Sequence, residues 1–326
     1  MRVLVVTSLY PTAEHPERGR FVADQVDALR ALGAEIELFT FEPGGANYLK
    51  AARELRRRHR HGAFDVVHAH HGLGGWTARA LGRGRGPLVV TFHGTDLEHR
   101  VVGPLSRRLA RVAALPATVS AALAQARLPE AGSSLRVAVL PCGIDPDRFV
   151  AIDRAEARRE LGLDPAGRYV LFPADPGRPE KRYERATELA AAVGAELLSY
   201  HQTPPDRVPL YVNAAAAVVV TSEREGFGLA ALEALACEVP VLSTDVGIAP
   251  LALGGIEGTL CAPFSVETWK PLVARHLGDP DPRVSGRARA LLFGRDHMAA
   301  RVLKAYGDVA DPDGPVSTRF RPGSRR

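Results

Sequence analysis

Cysteine and aromatic residues are scarce in this chain, long apolar runs are absent, and so is the glycine fingerprint of dinucleotide binding. The three cysteines, Cys142, Cys237 and Cys261, are odd in number, far apart and without Cys-x-x-Cys spacing. Neither a disulfide framework nor a zinc site is indicated, and a reducing cytoplasm is the expected compartment. No stretch reaches the roughly 18 apolar residues of a membrane span. The opening MRVLVVTSLYP has only four consecutive aliphatics before polar residues, too few for a signal-peptide core, so neither that export route nor a span is expected. Aromatics make up 6% of the chain and none interleave with the basic runs, which counts against a base-stacking surface for nucleic acid. No G-x-G-x-x-G follows a strand-like segment, which counts against a nicotinamide dehydrogenase.

What is present supports two α/β domains. At 326 residues and 46% hydrophobic, the chain can fill two cores of ordinary size. Strand-like and helix-like segments alternate from the start: RVLVV, a helix from Phe21, EIELFTF, a basic helix near 48–60, DVVHAH, a helix near 75–82 and PLVVTFHG. That rhythm indicates parallel sheets covered by helices. It breaks at CGIDPDRFVAIDRAEARRELGLDPAG, a turn-rich and charged stretch, and a second alternating set follows. The expected domains are therefore 1–148 and 149–310, with a final helix over 296–309 that could pack back on the first domain. A disordered basic tail is expected over 311–326.

The segment SEREGFGLAALEALAC places Glu225 in the exit loop of a buried strand and Glu233 within the next helix. With a helix start near Gly228, Leu229, Leu232, Glu233 and Ala236 share one face. An ionised carboxylate on an apolar face needs partners, which protein donors or the hydroxyls of a bound sugar can supply. Glu225 lies beside amides that a helix N-terminus leaves for an anion such as a diphosphate. A structural ion pair for Glu233 and a solvated Glu225 remain the alternative.

Doubly wound domains bind ligands beyond the carboxyl ends of their strands, and several candidate groups stand there. Gly19 precedes a helix in the loop after the first strand, where backbone approaches a ligand closely. His68, His70 and His71 end the third strand-like segment; with no acid or cysteine nearby to complete a metal site, at most one of them is expected to line a cleft. His93 in TFHGTD can donate to a sugar hydroxyl or tie the loop down, with Asp96 as turn acceptor. Arg178, Lys181 and Arg182 surround a helix start after YVLFP, an arrangement for stabilising a leaving diphosphate. The basic run ARELRRRHRHG (52–62) reads as an exposed helix, with contact to anionic lipid as second choice. The net charge of +5 fits either an anionic substrate or such a surface.

Together these segments resemble the family 4 retaining glycosyltransferases over roughly residues 1–310. EGFGLAALE matches that family's E-x7-E motif, and ALACEVPVLSTDVG continues it; PERGRFVADQVDAL, DVVHAHHGLGG, VVTFHGTD and LPCGIDPDRF fit the remaining segments. The resemblance implies a GT-B fold, two Rossmann-like doubly wound domains facing across a cleft. It implies Glu225, Lys181 and His93 as catalytic residues. Arg178, Lys181, Glu225, the Gly226, Phe227, Gly228 and Leu229 segment and Glu233 would bind the donor, with Glu233 on the ribose. Gly19 and Arg20 would lie on the acceptor side. It further implies retention of configuration by front-face transfer, with no metal or cofactor beyond a nucleoside-diphosphate sugar. The acceptor would be a glycan, lipid-linked or small molecule, and peripheral contact with the inner membrane face is compatible with the basic run. Asp175, where the family commonly has Arg, Cys142, Ala216 and the Ile248 to Leu251 segment depart from the pattern, as does the short chain. Asp175 and the short length motivate a second reading, a non-catalytic nucleotide-sugar-binding homologue that partners an active enzyme.

Overall fold

Runs of Val, Leu and Ile too short for helices, each followed by an amphipathic segment, give parallel strands with crossover helices. The computed structural model describes residues 1–82, 84–128, 136–200 and 203–311. Beyond Asp311, the expected basic tail lies outside the described residues. The chain divides into two units, one formed by 1–12, 18–143 and 295–326 and the other by 13–17 and 144–294. The division therefore comes ahead of the expected 148/149 boundary. Its local cause is that Ile144 donates its N–H to Phe293 O at 2.9 Å, tying the start of the second unit to its end.

In the first unit, strands β1 (Arg2–Thr7), β2 (Glu35–Thr40), β3 (Val66–His70), β4 (Leu88–Phe92), β5 (Leu115–Thr118) and β6 (Ala138–Val139) form one sheet. Their order is β2-β1-β3-β4-β5-β6, and every pairing is parallel. Val3, Val5, Val66, Val89 and Ala117 pack on Val26 and Leu29 of the helix Arg20–Ala31 and on Met298, Val302 and Tyr306 of the helix Arg295–Ala310. The helix Gly45–Arg58 buries Ala51 and Leu55 and leaves Lys50, Arg53, Arg56, Arg57 and Arg58 exposed. The helix expected near 75–82 instead runs Gly72–Arg79. Asp96 holds the Gly72 N–H at 3.0 Å, and a Cβ on Gly72 would come within 2.0 Å of Ser106 Oγ. The glycines thus let the helix begin earlier and pack closely.

Tyr306 joins the last helix of the first unit to β3. Its hydroxyl and His68 Nδ1 lie 2.6 Å apart, both fully buried. Tyr306→Phe removes that hydroxyl and leaves a buried ring nitrogen without its partner. The expected loss is about 1–3 kcal/mol of stability, measured as a lowered denaturation midpoint with an unchanged denaturant slope.

In the second unit, β7 (Tyr169–Phe172), β8 (Glu196–Ser199), β9 (Val218–Val220), β10 (Val241–Ser243) and β11 (Leu260–Cys261) are ordered β11-β10-β9-β7-β8, again parallel. Val170, Phe172, Val219 and Leu242 meet Leu189, Trp269 and Val273 in the core. The stretch read as turn-rich contains a helix, Arg154–Glu160, whose N-cap Asp153 accepts the Glu156 N–H. Its buried face is Arg154, Ala157 and Arg158, so hydropathy gives no sign of it. Arg158 is satisfied by Ala214 O at 2.9 Å and Pro165 O at 2.6 Å.

Candidate functional site

In the second unit the strand order reverses direction between β7 and β9, the switch point where doubly wound sheets leave a crevice for ligands. A cavity of about 350 Å³ opens there, lined by Pro173, Arg178, Lys181, Ser222, Glu225 and Glu233 among others. Lys181 ends a short 3-10 turn, Pro179–Lys181, and Arg182 follows in the left-handed region at φ 57°. The chain leaving β9 fixes this turn. Thr221 Oγ1 lies 3.0 Å from both Lys181 O and Arg182 O, and the Glu223 N–H donates to Glu180 O at 2.9 Å.

Held in this way, the Lys181 ammonium reaches both Glu225 oxygens, at 2.5 and 2.6 Å, and Ser222 Oγ donates to Oε1 of the same carboxylate at 2.8 Å. The two charged side chains are 12% and 13% exposed, so water screens the pair only weakly. Arg178 lines the same cavity and donates twice to Glu180 Oε1, at 3.0 and 2.6 Å. Burial pushes the Glu180 pKa up, but its own backbone amide and the Arg178 guanidinium outweigh that, and the carboxyl lies below its usual range.

The Gly226 to Leu229 segment leads into the helix Leu229–Ala236. Its N-cap, Gly228, has φ 93° and offers no capping side chain, so first-turn amides border the cavity together with Gly228, Leu229 and Ala230. The face expected to hold Glu233 among apolar residues is divided. Leu232 and Ala236 are fully buried, whereas Leu229 and Glu233 are half-buried and line the cavity. Tyr200 lines it too; burial, with the Glu233 charge adding, raises its phenol well above the usual range.

Sequence reasoning missed Gly247. It has φ 56°, and a Cβ there would lie 2.3 Å from Phe227 O and 2.9 Å from Glu225 Cβ. The next residue, Ile248, donates its N–H to Phe227 O at 2.7 Å. Gly247 and Ile248 therefore brace the loop that carries Glu225. A glycine demanded by close backbone approach was the available signal, in the Asp-Val-Gly that follows β10.

The other candidates belong to the first unit. Gly19 has φ 62°, and a Cβ on it would lie 2.4 Å from the Leu9 carbonyl. Arg20 is bound along its own helix to Asp24 at 2.8 Å. Asp96 accepts from the N–H groups of His93 and Gly94 at 3.1 and 3.0 Å, shaping the turn after β4. His93 is half-buried, 4.8 Å from the Phe21 ring, with Nε2 3.0 Å from His70 Nδ1. His68 and His70 are fully buried and His71 half-buried. Asp175 builds a turn, accepting the Gly177 N–H at 2.8 Å, and Ala216 is fully buried.

Two family models match the chain in tandem: Glycosyltransferase Family 4 over residues 3–148 and Glycosyl transferases group 1 over 166–290. The D-inositol 3-phosphate glycosyltransferase of Actinosynnema mirum is 30% identical over 316 residues, covering 78% of this chain and 75% of that protein. The chain belongs to the family 4 glycosyltransferases. A second relative of this glycosyltransferase, the D-inositol 3-phosphate glycosyltransferase of Pseudarthrobacter chlorophenolicus, is 28% identical and covers 92% of this chain and 83% of its own.

Solved structures agree on the fold. A sucrose-phosphate synthase from Thermosynechococcus elongatus aligns with a TM-score of 0.75 at 19% identity, covering 96% of this glycosyltransferase and 99% of that chain. Anabaena Alr3699/HepE in complex with UDP aligns at 0.69 and 18% identity, covering 94% and 100%. These neighbours are GT-B glycosyltransferases, and the two parallel sheets of this chain are of that class. Among the described residues, no helix of the glycosyltransferase is long and apolar enough to cross a membrane.

Proposed function

We propose that this glycosyltransferase moves a sugar, with retention of configuration and without a metal, from a nucleoside diphosphate to a hydroxyl of a small-molecule acceptor. The observation that carries the proposal is the Lys181 and Glu225 pair at the switch point, beside an uncapped helix N-terminus. A diphosphate entering the cavity competes for the Lys181 ammonium and the first-turn amides. Glu225, released from its ion pair, then accepts from hydroxyls of the sugar. The bond from the anomeric carbon to the diphosphate oxygen breaks while the acceptor oxygen bonds to that carbon from the same face. The acceptor proton passes to the departing phosphate oxygen. Lys181, Arg178 and the amides stabilise the charge that develops there, which is the work a metal would otherwise do. Glu233 binds the ribose hydroxyls, His93 the sugar, and Gly19 and Arg20 border the acceptor side.

The relatives named for D-inositol 3-phosphate support a small hydroxylated acceptor, and the neighbours solved with UDP and UDP-glucose support a nucleotide-sugar donor. The non-catalytic reading rested on the short chain and on Asp175, and Asp175 serves as a turn former while Arg178, three positions on, borders the cavity. We therefore favour catalysis.

A thermal-shift screen against UDP, GDP, ADP and dTDP tests the donor site, since a ligand of the folded state raises the melting temperature. One of the four is expected to do so. Glu233→Gln, which exchanges charge-assisted hydrogen bonds for neutral ones, should weaken that nucleotide by about 10- to 100-fold while keeping most of kcat at saturating donor. Four nucleotides without a shift, or unaltered affinity in Glu233→Gln, would contradict the assignment. Anomeric proton couplings of the product, with turnover unchanged in EDTA, check retention and metal independence.

A further inference from the structure

Within the first unit, four imidazoles adjoin one another. His68 and His70, two apart on β3, lie on the same face with ring centroids 4.4 Å apart. The His93 ring is 5.3 Å from His70 and 5.8 Å from His71, stacked on both. His68 is anchored through both nitrogens, Nδ1 to the Tyr306 hydroxyl at 2.6 Å and Nε2 to Thr91 Oγ1 at 2.8 Å. Burial pushes its pKa down to about 3, so it forms a neutral, fixed wall on one side of His70.

The contact between His70 Nδ1 and His93 Nε2, at 3.0 Å, requires one proton between the two nitrogens. With two protons the N–H groups oppose each other, and with none the lone pairs do. In one arrangement His93 donates from Nε2; His70 must then carry its remaining proton on its own Nε2. That atom is buried and has no hydrogen-bond partner, so this arrangement strands a buried N–H. In the other, His70 donates from Nδ1, and its Nε2 is a bare lone pair. Buried donors without acceptors are rarer than under-satisfied acceptors, which selects the second arrangement. A shared charge is disfavoured as well, because burial holds both rings well below the usual histidine range, with the neighbouring imidazoles adding.

We propose that His70 is a positioning residue that fixes neutral His93 as its Nδ1–H tautomer, so that His93 presents an N–H donor to a hydroxyl of the bound sugar. No described residue bonds His93 Nδ1, which leaves that proton for a ligand. The ligand half of the proposal rests on the reading that places His93 at the sugar; the tautomer does not. An isolated imidazole divides its proton between the two nitrogens, and His70 removes that freedom before the ligand arrives, as preorganised donors require.

Long-range proton–nitrogen spectra of the full-length chain labelled with 15N-histidine, without ligand, test it, with His93 assigned by its disappearance in His93→Ala. The expected pattern is a protonated Nδ1 and a bare Nε2 for His93. His70→Leu should return His93 to a mixture of tautomers and lower kcat/KM about tenfold, the worth of one hydrogen bond. His70→Asn, whose amide places a donor near the position of Nδ1, should restore the tautomer and most of the rate. A His93 protonated on Nε2 in the wild type overturns the positioning role whatever the kinetics, and that spectrum alone decides should the variants fail to fold. An Nδ1-protonated His93 whose replacement by alanine leaves turnover intact overturns instead the reading that puts His93 at the sugar.

Discussion

Lys181→Ala is expected to lower kcat by about two to three orders of magnitude, the usual cost of removing one preorganised group from a developing negative charge. The ammonium sits in a cavity wall where the pair with Glu225 is 12% and 13% exposed, so water cannot substitute for it at full strength. The variant also leaves Glu225 with Ser222 Oγ but without its cation, and a stability loss of about 1–3 kcal/mol accompanies it. The double variant Lys181→Ala/Glu225→Gln separates the two effects. Removing the stranded charge should recover much of the stability while turnover stays low, a coupling that a double-mutant cycle reads directly. Turnover of Lys181→Ala within about threefold of wild type would be incompatible with leaving-group stabilisation by this residue.

Gly247→Ala should be nearly as damaging, through the backbone rather than through charge. At φ 56° an alanine is strained by about 1–2 kcal/mol. Its Cβ would also lie 2.3 Å from Phe227 O, closer than atoms can approach. Either the Gly247 to Ile248 backbone withdraws, breaking the 2.7 Å bond from the Ile248 N–H to Phe227 O, or the loop carrying Glu225 moves. We expect a loss of about 3 kcal/mol or more and a donor affinity lower by at least about tenfold, because displacements near an ångström spoil preorganised contacts. Gly255→Ala is the control. Gly255 has φ 76° but nothing within 4 Å of the would-be Cβ, so only the conformational strain should register and donor affinity should hold. Matching behaviour of the two variants would remove the bracing role of Gly247.

Lys181 and Glu225 stand 44 positions apart, yet their place beside one crevice was legible because a parallel sheet brings the carboxyl ends of all its strands to one edge. Their direct ion pair was not legible, since position after a strand does not fix where a side chain ends. Glu233 was read on an apolar face because helical periodicity assigns residues to a face without saying where the core stops; the cavity begins between Leu232 and Glu233. The helix Arg154–Glu160 was lost in a polar stretch because its inward residues include Arg154 and Arg158, 4% and 5% exposed, and an arginine buried against carbonyls carries no hydropathic signal. The His70 and His93 contact joins β3 to the turn after β4, so period-two reasoning could put His68 and His70 on one face but could not name what meets them.

The return of the helix Arg295–Ala310 to the first unit governs the order in which a ribosome can deliver a finished protein. Met298, Val302 and Tyr306 belong to the core that Val3, Val66, Val26 and Leu29 begin, so the first sheet waits, only partly covered on that face, until the second unit has been translated. All five strands of the second unit emerge before residue 295, and that unit can close its core earlier. A nascent chain stalled after Gly294 therefore exposes aliphatic sheet surface from the unit that was translated first, and it is there that a chaperone or a protease would engage it.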